Sequence, residues 1–142
     1  MIEDVCNRIK GKAQKFNISL EIKLIDAVIL GDKESLMHIF INLIDNAIKY
    51  NVPEGKISII NYIEEERVCI EICDTGIDIP KEDREKVFDS FYTVDKNRSK
   101  ENSGTGLGLS IVKELVEKQR GTISVIDKKS KGTNILVSFP VL

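Results

Sequence analysis

Cysteine is scarce in this chain, and its arrangement excludes two kinds of stabilised fold. The 142 residues contain three cysteines, Cys6, Cys69 and Cys73, and no Cys-x-x-Cys pair. An odd number without that spacing argues against a disulfide framework and against a zinc site. Cys69 and Cys73 share a predicted strand, where about 3.3 Å per residue places them roughly 13 Å apart, too far to pair. We therefore expect three free thiols in a reducing compartment.

Long apolar runs and an excess of one charge are also absent. Runs such as Ile39-Phe40-Ile41 fall far short of the roughly 20 residues that span a bilayer, so we expect no membrane segment and no signal peptide. A formal net charge of −2 offers no dense basic stripe, so nucleic acid is not a favoured partner. With 42% hydrophobic and 31% charged residues, the composition is typical of one soluble globular domain.

The spacing of apolar residues predicts helices and a sheet rich in hairpins. The clearest helix covers residues 33–50, begins after the capping pair Gly31-Asp32 and repeats its apolar residues at three-and-four spacing. Further helices are predicted at residues 4–15, 80–87 and 107–119, with Gly121 just past the end of the last one. Strands are predicted at residues 18–24, 56–63, 67–73, 122–127 and 133–139, with Glu64-Glu65-Glu66 as the turn of a hairpin.

These elements predict one α+β domain over residues 1–142. The expected architecture is a two-layer α/β sandwich, in which helices cover one face of a mixed, mostly antiparallel sheet. Residues 95–105 interrupt the pattern with a polar stretch rich in Lys, Asn, Ser and Gly. A long loop with so little apolar content is usually functional or disordered, so we expect a mobile loop with a role in function.

Two asparagines on the clearest helix indicate a ligand at the edge of the core. At about 100° per residue, Asn42, Asn46 and Lys49 fall on one stripe beside the apolar stripe. Tyr50 lies between the two stripes, where its ring can lie against a base. Mg²⁺ prefers oxygen ligands and keeps several waters, so one amide oxygen from Asn46 beside a triphosphate fits its chemistry. Taken alone, the two asparagines would more often be solvated or backbone-capping amides.

Two glycine motifs follow downstream. Asp74-Thr75-Gly76 comes directly after a predicted strand, where the carboxylate can accept a hydrogen bond from the exocyclic amine of adenine. Guanine has an oxygen at that position and would leave the carboxylate unpaired, so the motif favours ATP over GTP. Alone, it would more often be an ordinary Asp-x-Gly turn.

The second motif, Gly104-x-Gly106-x-Gly108, opens the helix predicted at residues 107–119, and the amides and dipole of a helix start suit an anion. It is not a Walker motif, because no Gly-Lys-Ser follows. It is a poor Rossmann motif, because it follows a polar loop and not a strand.

In this order and spacing, Asn42–Tyr50, Asp74–Gly76 and Gly104–Ser110 resemble the ATP-binding catalytic domain of sensor histidine kinases. That domain has the Bergerat fold, shared with gyrase, chaperone and mismatch-repair ATPases, and the resemblance covers nearly the whole chain. It implies that Asn46 binds Mg²⁺, that Asn42 lies near the phosphates and that Lys49 pairs with a phosphate, which makes these three the catalytic residues. It also implies an ATP-binding set: Tyr50, Asp74, Gly76, Ile79, Arg98, Gly104, Thr105, Gly106, Leu107, Gly108 and Thr133.

Three further segments extend the resemblance. Phe88, Phe91 and Tyr92 resemble the F box that precedes the ATP lid, although Phe88 is more simply a core residue. The lid itself would cover about residues 94–106, where Lys96, Arg98 and Lys100 would pair with phosphates on closure. Lys131-Gly132-Thr133 resembles the last glycine box, in which the Thr133 hydroxyl would help to hold Asp74 and a water at the adenine.

The implied function is to bind ATP with Mg²⁺ and donate the γ-phosphoryl group to a histidine on a separate dimerisation domain of the parent protein. A response regulator would be the next partner in two-component signalling, and the domain would be cytoplasmic. Asn42 cannot activate water as the Glu of hydrolytic relatives does, so phosphoryl transfer is favoured over hydrolysis. The only histidine, His38, lacks the His-Glu-x-x-x-Pro setting of a phosphoacceptor.

One position departs from the family pattern, because Asp78 stands where a second glycine is usual. Aspartate tolerates a left-handed backbone better than most residues, so the turn can survive at a cost of about 1 kcal/mol. Its charge could also weaken nucleotide affinity. One alternative is therefore a non-catalytic interaction module of the same fold. Another is a serine kinase or anti-sigma switch, against which Asn42 and the F-box segment count.

Overall fold

A five-stranded sheet with helices on one face makes up the part of the chain that the structure, a computed structural model, describes: residues 2–29, 31–89, 108–126 and 131–141. The helices are α1 (Ile2–Lys15), α2 (Lys33–Lys49) and α3 (Gly108–Lys118). The strands are β1 (Ser19–Lys23), β2 (Lys56–Glu64), β3 (Arg67–Asp74), β4 (Thr122–Ile126) and β5 (Asn134–Pro140). Two short 3-10 turns cover Lys81–Asp83 and Lys86–Phe88.

The strands are ordered β1-β2-β3-β5-β4 across the sheet. β1 and β2 are parallel, and the chain crosses between them through α2, as parallel neighbours require. The other neighbours are antiparallel, which confirms the prediction of a mixed, mostly antiparallel sheet.

The core lies between the sheet and the three helices. Alternate residues of each strand face the helices, such as Ile70 and Ile72 in β3 and Val137 and Phe139 in β5, and all four are buried. The ring of Phe139 meets that of Phe40 edge-on, with centroids 6.4 Å apart. The apolar stripe predicted for α2 is buried as a whole: Leu36, Ile39, Phe40, Leu43, Ile44, Ala47 and Ile48.

The predicted cap starts α2. Asp32 accepts hydrogen bonds from Ser35 N at 3.2 Å and Ser35 Oγ at 2.7 Å. The bond from the Ser35 hydroxyl, followed by that from the Ser35 amide, lowers the pKa of the Asp32 carboxyl. The carboxylate therefore holds the first turn of the helix that carries the two asparagines.

The residue with the left-handed backbone at the end of α3 is Arg120, with φ of 62°, and not Gly121. Arg120 N donates to Glu117 O at 3.0 Å and Gly121 N donates to Val116 O at 2.9 Å, the pattern of a Schellman cap. Gly121 is glycine for another reason, because a Cβ there would lie 2.6 Å from Ser138 O. Close packing against β5 fixes this position.

Two other local predictions need correction. The helix expected at residues 80–87 is a pair of separate 3-10 turns, because only its end, at Val87 and Phe88, supplies buried apolar residues. The hairpin turn is shorter than expected, since Glu64 still belongs to β2 while Glu65 and Glu66 take positive φ of 52° and 62°. Burial of Phe88 confirms its assignment to the core.

Cys6, Cys69 and Cys73 form no disulfide in the part of the chain that the structure describes; Cys6 and Cys69 are buried and Cys73 is partly buried. Burial raises the pKa of the Cys69 thiol. None of the helices in the described ranges combines the length and the hydrophobicity that crossing a bilayer requires.

Candidate nucleotide-binding site

Asp74 is the anchor of the candidate site. It ends β3, is 8% exposed, and its Oδ1 accepts hydrogen bonds from Gly76 N at 2.9 Å and Thr133 N at 3.1 Å. Asp74 N in turn donates to Thr133 O at 2.9 Å. Residues of two separate motifs, Asp74-Thr75-Gly76 and Lys131-Gly132-Thr133, are therefore in contact, and backbone groups fix the orientation of the carboxylate.

Thr133 supports Asp74 through its backbone, a contact that the sequence did not indicate. The resemblance implies that the Thr133 hydroxyl holds Asp74, but Oγ1 donates to Ile77 O at 2.7 Å. The reason is the register of the sheet, since Cys73 pairs with Asn134 and the peptide N–H of Thr133 faces the end of β3. The hydroxyl then closes the turn that follows Asp74.

Gly76 is fixed by close packing against the end of α2. A Cβ on Gly76 would lie 2.2 Å from Tyr50 O and 2.8 Å from Asn51 Cα. Ile77 N donates to the same Tyr50 carbonyl at 3.1 Å. The resemblance implies that Gly76 makes room for a base. The structure adds a second reason for glycine, because the backbone at the end of α2 leaves no space for a Cβ.

Asn51 and Thr75 form a clamp that sequence reasoning missed. Thr75 Oγ1 donates to Asn51 Oδ1 at 2.8 Å and accepts from Lys56 N at 2.9 Å. Asn51 Nδ2 donates to Lys56 O at 3.3 Å. The clamp joins the end of α2, the start of β2 and the Asp74 turn. The only sequence signal for this contact is a polar residue, Asn51, directly after the predicted helix.

The polar side of α2, which carries Asn42 and Asn46, lies next to the start of α3. Asn42 and Asn46 are half-buried, and Asn42 Nδ2 donates to His38 O at 2.8 Å within the helix. A Cβ built on Gly108 would lie 3.8 Å from Asn46 Nδ2, so the Asn46 amide lies beside the first residue of α3. The helix that carries the two asparagines and the end of the second glycine motif are therefore neighbours.

Lys49 is exposed in the last turn of α2. Its Nζ lies 3.8 Å from Asp45 Oδ2, and Asp45 also pairs with Lys12 of α1. The ammonium group of Lys49 is therefore held on the surface of α2, one turn from Asn46.

The remaining predicted residues fall into two groups. Tyr50 and Ile79 are half-buried, at the end of α2 and in the loop after the Asp74 turn. The other predicted residues lie outside the described residues: Phe91, Tyr92, Lys96, Arg98, Lys100, Gly104, Thr105, Gly106 and Leu107. Lys113 Nζ of α3 lies 5.8 Å from the centroid of the Phe88 ring. The first residue of the F-box segment therefore lies next to α3.

The chemistry of these groups fits ATP with Mg²⁺. In the described residues, no group of three or more His, Cys, Asp or Glu side chains could hold a metal alone. A cation at Asn46 would therefore need phosphate and water oxygens, which is how Mg²⁺ is usually held. The first amides of α3 would suit an anion beside it.

Comparison with known proteins gives consistent matches. The sequence profile of the histidine kinase-, DNA gyrase B-, and HSP90-like ATPases matches residues 31–142. The signal transduction histidine-protein kinase ArlS of Staphylococcus aureus (strain USA300) is 43% identical over 101 residues, which make up 71% of this chain and 22% of ArlS. The chain thus spans only about a fifth of that relative's length.

Solved structures match over nearly the whole chain. The mycobacterial sensor histidine kinase MprB superposes with a TM-score of 0.88 and 30% identity, over 99% of this chain and 93% of that one. The histidine kinase ThkA, in complex with the response regulator protein TrrA, superposes with a TM-score of 0.81 and 26% identity, over 99% of this chain and 39% of that one.

Proposed function

Because this chain belongs to the family of histidine kinase-, DNA gyrase B- and HSP90-like ATPases, we propose that it binds Mg·ATP and donates the γ-phosphoryl group to a histidine on a separate dimerisation domain. The observation that carries the proposal is the buried carboxylate of Asp74, oriented by Gly76 N and Thr133 N. The Asn46 amide beside the start of α3 supports the phosphate end.

At the adenine end, Asp74 accepts a hydrogen bond from the exocyclic amine of the base. Its Oδ1 already accepts two backbone N–H groups, so the carboxylate cannot turn away when the wrong base enters. Guanine would place an oxygen against it, and two acceptors face to face leave a buried group unsatisfied. Tyr50 and Ile79 border the same region and would contact the nucleotide.

At the phosphate end, Asn46 would hold Mg²⁺ through its amide oxygen. When bound, the ion would neutralise part of the charge that develops on the transferred phosphoryl group. Lys49 would move from Asp45 to a phosphate, and the first amides of α3 would face the same anion. Gly104, Thr105, Gly106, Leu107 and Arg98 complete the proposed phosphate contacts.

The residues of this chain favour transfer over hydrolysis. The amide of Asn42 cannot accept a proton from water, and its Nδ2 already donates to His38 O. The attacking nucleophile is then an imidazole of the dimerisation domain, and positioning supplies much of the rate enhancement. His38 is exposed on α2 but lacks the His-Glu-x-x-x-Pro setting of a phosphoacceptor, so the proposal does not assign it as the acceptor.

Two partners and a location follow from this proposal. The first partner is the histidine-bearing dimerisation domain of the same parent protein, and the second is a response regulator, the kind of protein with which ThkA was solved. Both act in two-component signalling at the cytoplasmic side, where ATP is available.

Titration calorimetry with a non-hydrolysable ATP analogue, with and without Mg²⁺, tests the binding step. We expect micromolar-range affinity that depends on Mg²⁺ and is lost with a GTP analogue. Asn46→Ala should abolish the Mg²⁺ dependence, whereas the matched control Asn7→Ala, an exposed asparagine on α1, should not. No heat from a folded sample would contradict the proposal and favour a non-catalytic module.

Transfer is tested by adding radiolabelled ATP and the histidine-bearing domain of a relative such as ArlS. The label should appear on that domain with the wild-type chain and not with Asn46→Ala. Label on added serine-containing acceptor proteins instead would indicate a serine kinase.

A further inference from the structure

Asp78, the residue that departs from the family pattern, bonds to the turn that supports Asp74. Its Oδ1 accepts a hydrogen bond from Gly132 N. Three other bonds join the same two segments: Thr133 N to Asp74 Oδ1, Asp74 N to Thr133 O, and Thr133 Oγ1 to Ile77 O. A glycine at position 78 would keep those three bonds and lose the one from Gly132.

The backbone shows which residue of the pair needs to be glycine. Gly132 has φ of 127°, a conformation that L side chains rarely adopt, whereas the described residues with positive φ do not include Asp78. The left-handed backbone expected at position 78 is therefore not present, and the cost attached to it does not arise. Asp78 therefore fits without backbone strain, and its side chain contacts Gly132, the residue whose φ requires glycine.

A glycine turn loses much conformational freedom when it is ordered. If the Gly132 turn were ordered only on nucleotide binding, that entropy would be subtracted from the affinity. A bond from Asp78 orders the turn beforehand and keeps Thr133 N directed at Asp74.

The charge of Asp78 is the competing effect. The side chain is exposed, so its charge acts on a ligand through solvent, where salt screens it over about 8–10 Å. The hydrogen bond acts by direct contact. Its net effect is expected to be the larger of the two.

We propose that Asp78 is a positioning residue that holds the Gly132-Thr133 turn against Asp74 and thereby raises the affinity for adenine nucleotides. This inference rests on the proposed nucleotide binding and adds to it. It also reverses the sign expected from charge alone, because replacing Asp78 by the usual glycine should weaken binding.

The test compares Asp78→Gly and Asp78→Asn with wild type by calorimetry, using ADP and the non-hydrolysable ATP analogue. Asp78→Gly should lower the affinity for both nucleotides by up to about tenfold, because the turn must then be ordered on binding and the net strength of one hydrogen bond is the upper limit of that cost. Asp78→Asn keeps an acceptor oxygen without the charge and should bind as wild type does. Glu82→Gln removes a charge from an exposed residue of the 3-10 turn that follows this loop and is the matched control.

Amide hydrogen exchange without nucleotide supplies a second readout. Gly132 N–H should exchange faster in Asp78→Gly than in wild type and regain its protection in Asp78→Asn. Wild-type affinity together with wild-type exchange in Asp78→Gly would overturn the inference. So would tighter ATP binding in both variants with little gain for ADP, which would indicate a charge effect at the phosphates. A folded wild type that binds no nucleotide would instead overturn the proposed function, and with it this inference.

Discussion

Asp74 shows how one side chain can depend on the whole backbone around it. Its carboxylate is 8% exposed and is fixed by N–H groups from its own turn and from the segment before β5. Asp74→Asn keeps an oxygen for those donors but replaces the second oxygen with an NH₂ group. We therefore expect the chain to stay folded and the affinity for ATP to fall by about 10- to 100-fold, measured by calorimetry.

Circular dichroism of Asp74→Asn provides the control for folding. Asp74→Ala differs in its expected result, because it leaves Gly76 N and Thr133 N without their acceptor and should also lower the free energy of unfolding. Equal ATP affinity for wild type and Asp74→Asn would exclude Asp74 as the adenine acceptor.

The candidate site residues could be proposed from the sequence where a motif marks them, and the contacts that support them could not. The motifs mark Asp74, Gly76 and Thr133, but they do not show that the backbone N–H of Thr133 donates to Asp74 while its hydroxyl donates to Ile77 O. The bonds Asn51–Thr75 and Asp78–Gly132 each join segments far apart in sequence. Local patterns carry no information on such pairs, because they depend on how strands and loops are placed by the fold.

At the scale of the element, Asp32 sets the start of α2. Because bonds from Ser35 lower the pKa of the Asp32 carboxyl, the cap stabilises the native state above the ordinary pKa of aspartate. This stability is lost as pH falls through the lowered pKa. Asp32→Asn keeps a capping acceptor without titrating, so its free energy of unfolding, measured in urea, should depend less on pH below about 4.

Asp32→Ala removes the cap altogether and should lower stability at neutral pH, where Asp32→Asn stays close to wild type. An identical pH dependence for Asp32→Asn and wild type would show that the carboxylate does not contribute to this cap.

The end of α3 at Arg120 can be made more stable by substitution. A left-handed backbone at a non-glycine residue costs roughly 1–2 kcal/mol, and Arg120 has φ of 62° at the end of α3. Arg120→Gly should therefore raise the free energy of unfolding by about 1 kcal/mol, measured by urea denaturation. The hydrogen bond that Arg67 donates to the carbonyl of residue 120 does not involve the Arg120 side chain, so it should persist in Arg120→Gly.

Arg120→Ala is the matched control, because it removes the side chain and keeps the unfavourable φ. It should give no such gain. Equal stabilisation by alanine and glycine would assign the effect to the arginine side chain and not to the backbone.

Strong periodicity made most elements predictable, and its absence explains the errors. α2 and the β2–β3 hairpin lie within a residue or two of the predicted bounds because their apolar residues repeat over many positions. The segment after Pro80 is too short to show a period, and it formed two 3-10 turns. At the end of α3, glycine preference pointed to Gly121, but contact with β5 decided the position.

At the scale of the whole molecule, Phe139 links the last strand to the asparagine helix. Its ring is fully buried and meets Phe40 of α2 with centroids 6.4 Å apart. Phe139→Ala should lower the free energy of unfolding by about 3–5 kcal/mol, because it leaves a cavity between sheet and helix. Phe139→Leu fills part of that space and should cost less, and both are measured by urea denaturation.

A loss below about 1 kcal/mol for Phe139→Ala would contradict the packing described for this core. The layer architecture itself was predictable, since one-sided burial of strands and amphipathic helices leaves few arrangements. The strand order β1-β2-β3-β5-β4 was not, because the placement of β5 between β3 and β4 depends on pairing that no local window shows.

Because β5 lies beside β3, the candidate site can form only late in the synthesis of this domain. The N–H of Thr133 that steadies Asp74 comes from the segment that leads into the final strand. During synthesis, a chain still attached to the ribosome carries the complete asparagine helix long before it has that donor. Nucleotide binding would therefore begin only once the C-terminal strand has emerged, and ATP would distinguish finished copies of this domain from unfinished ones.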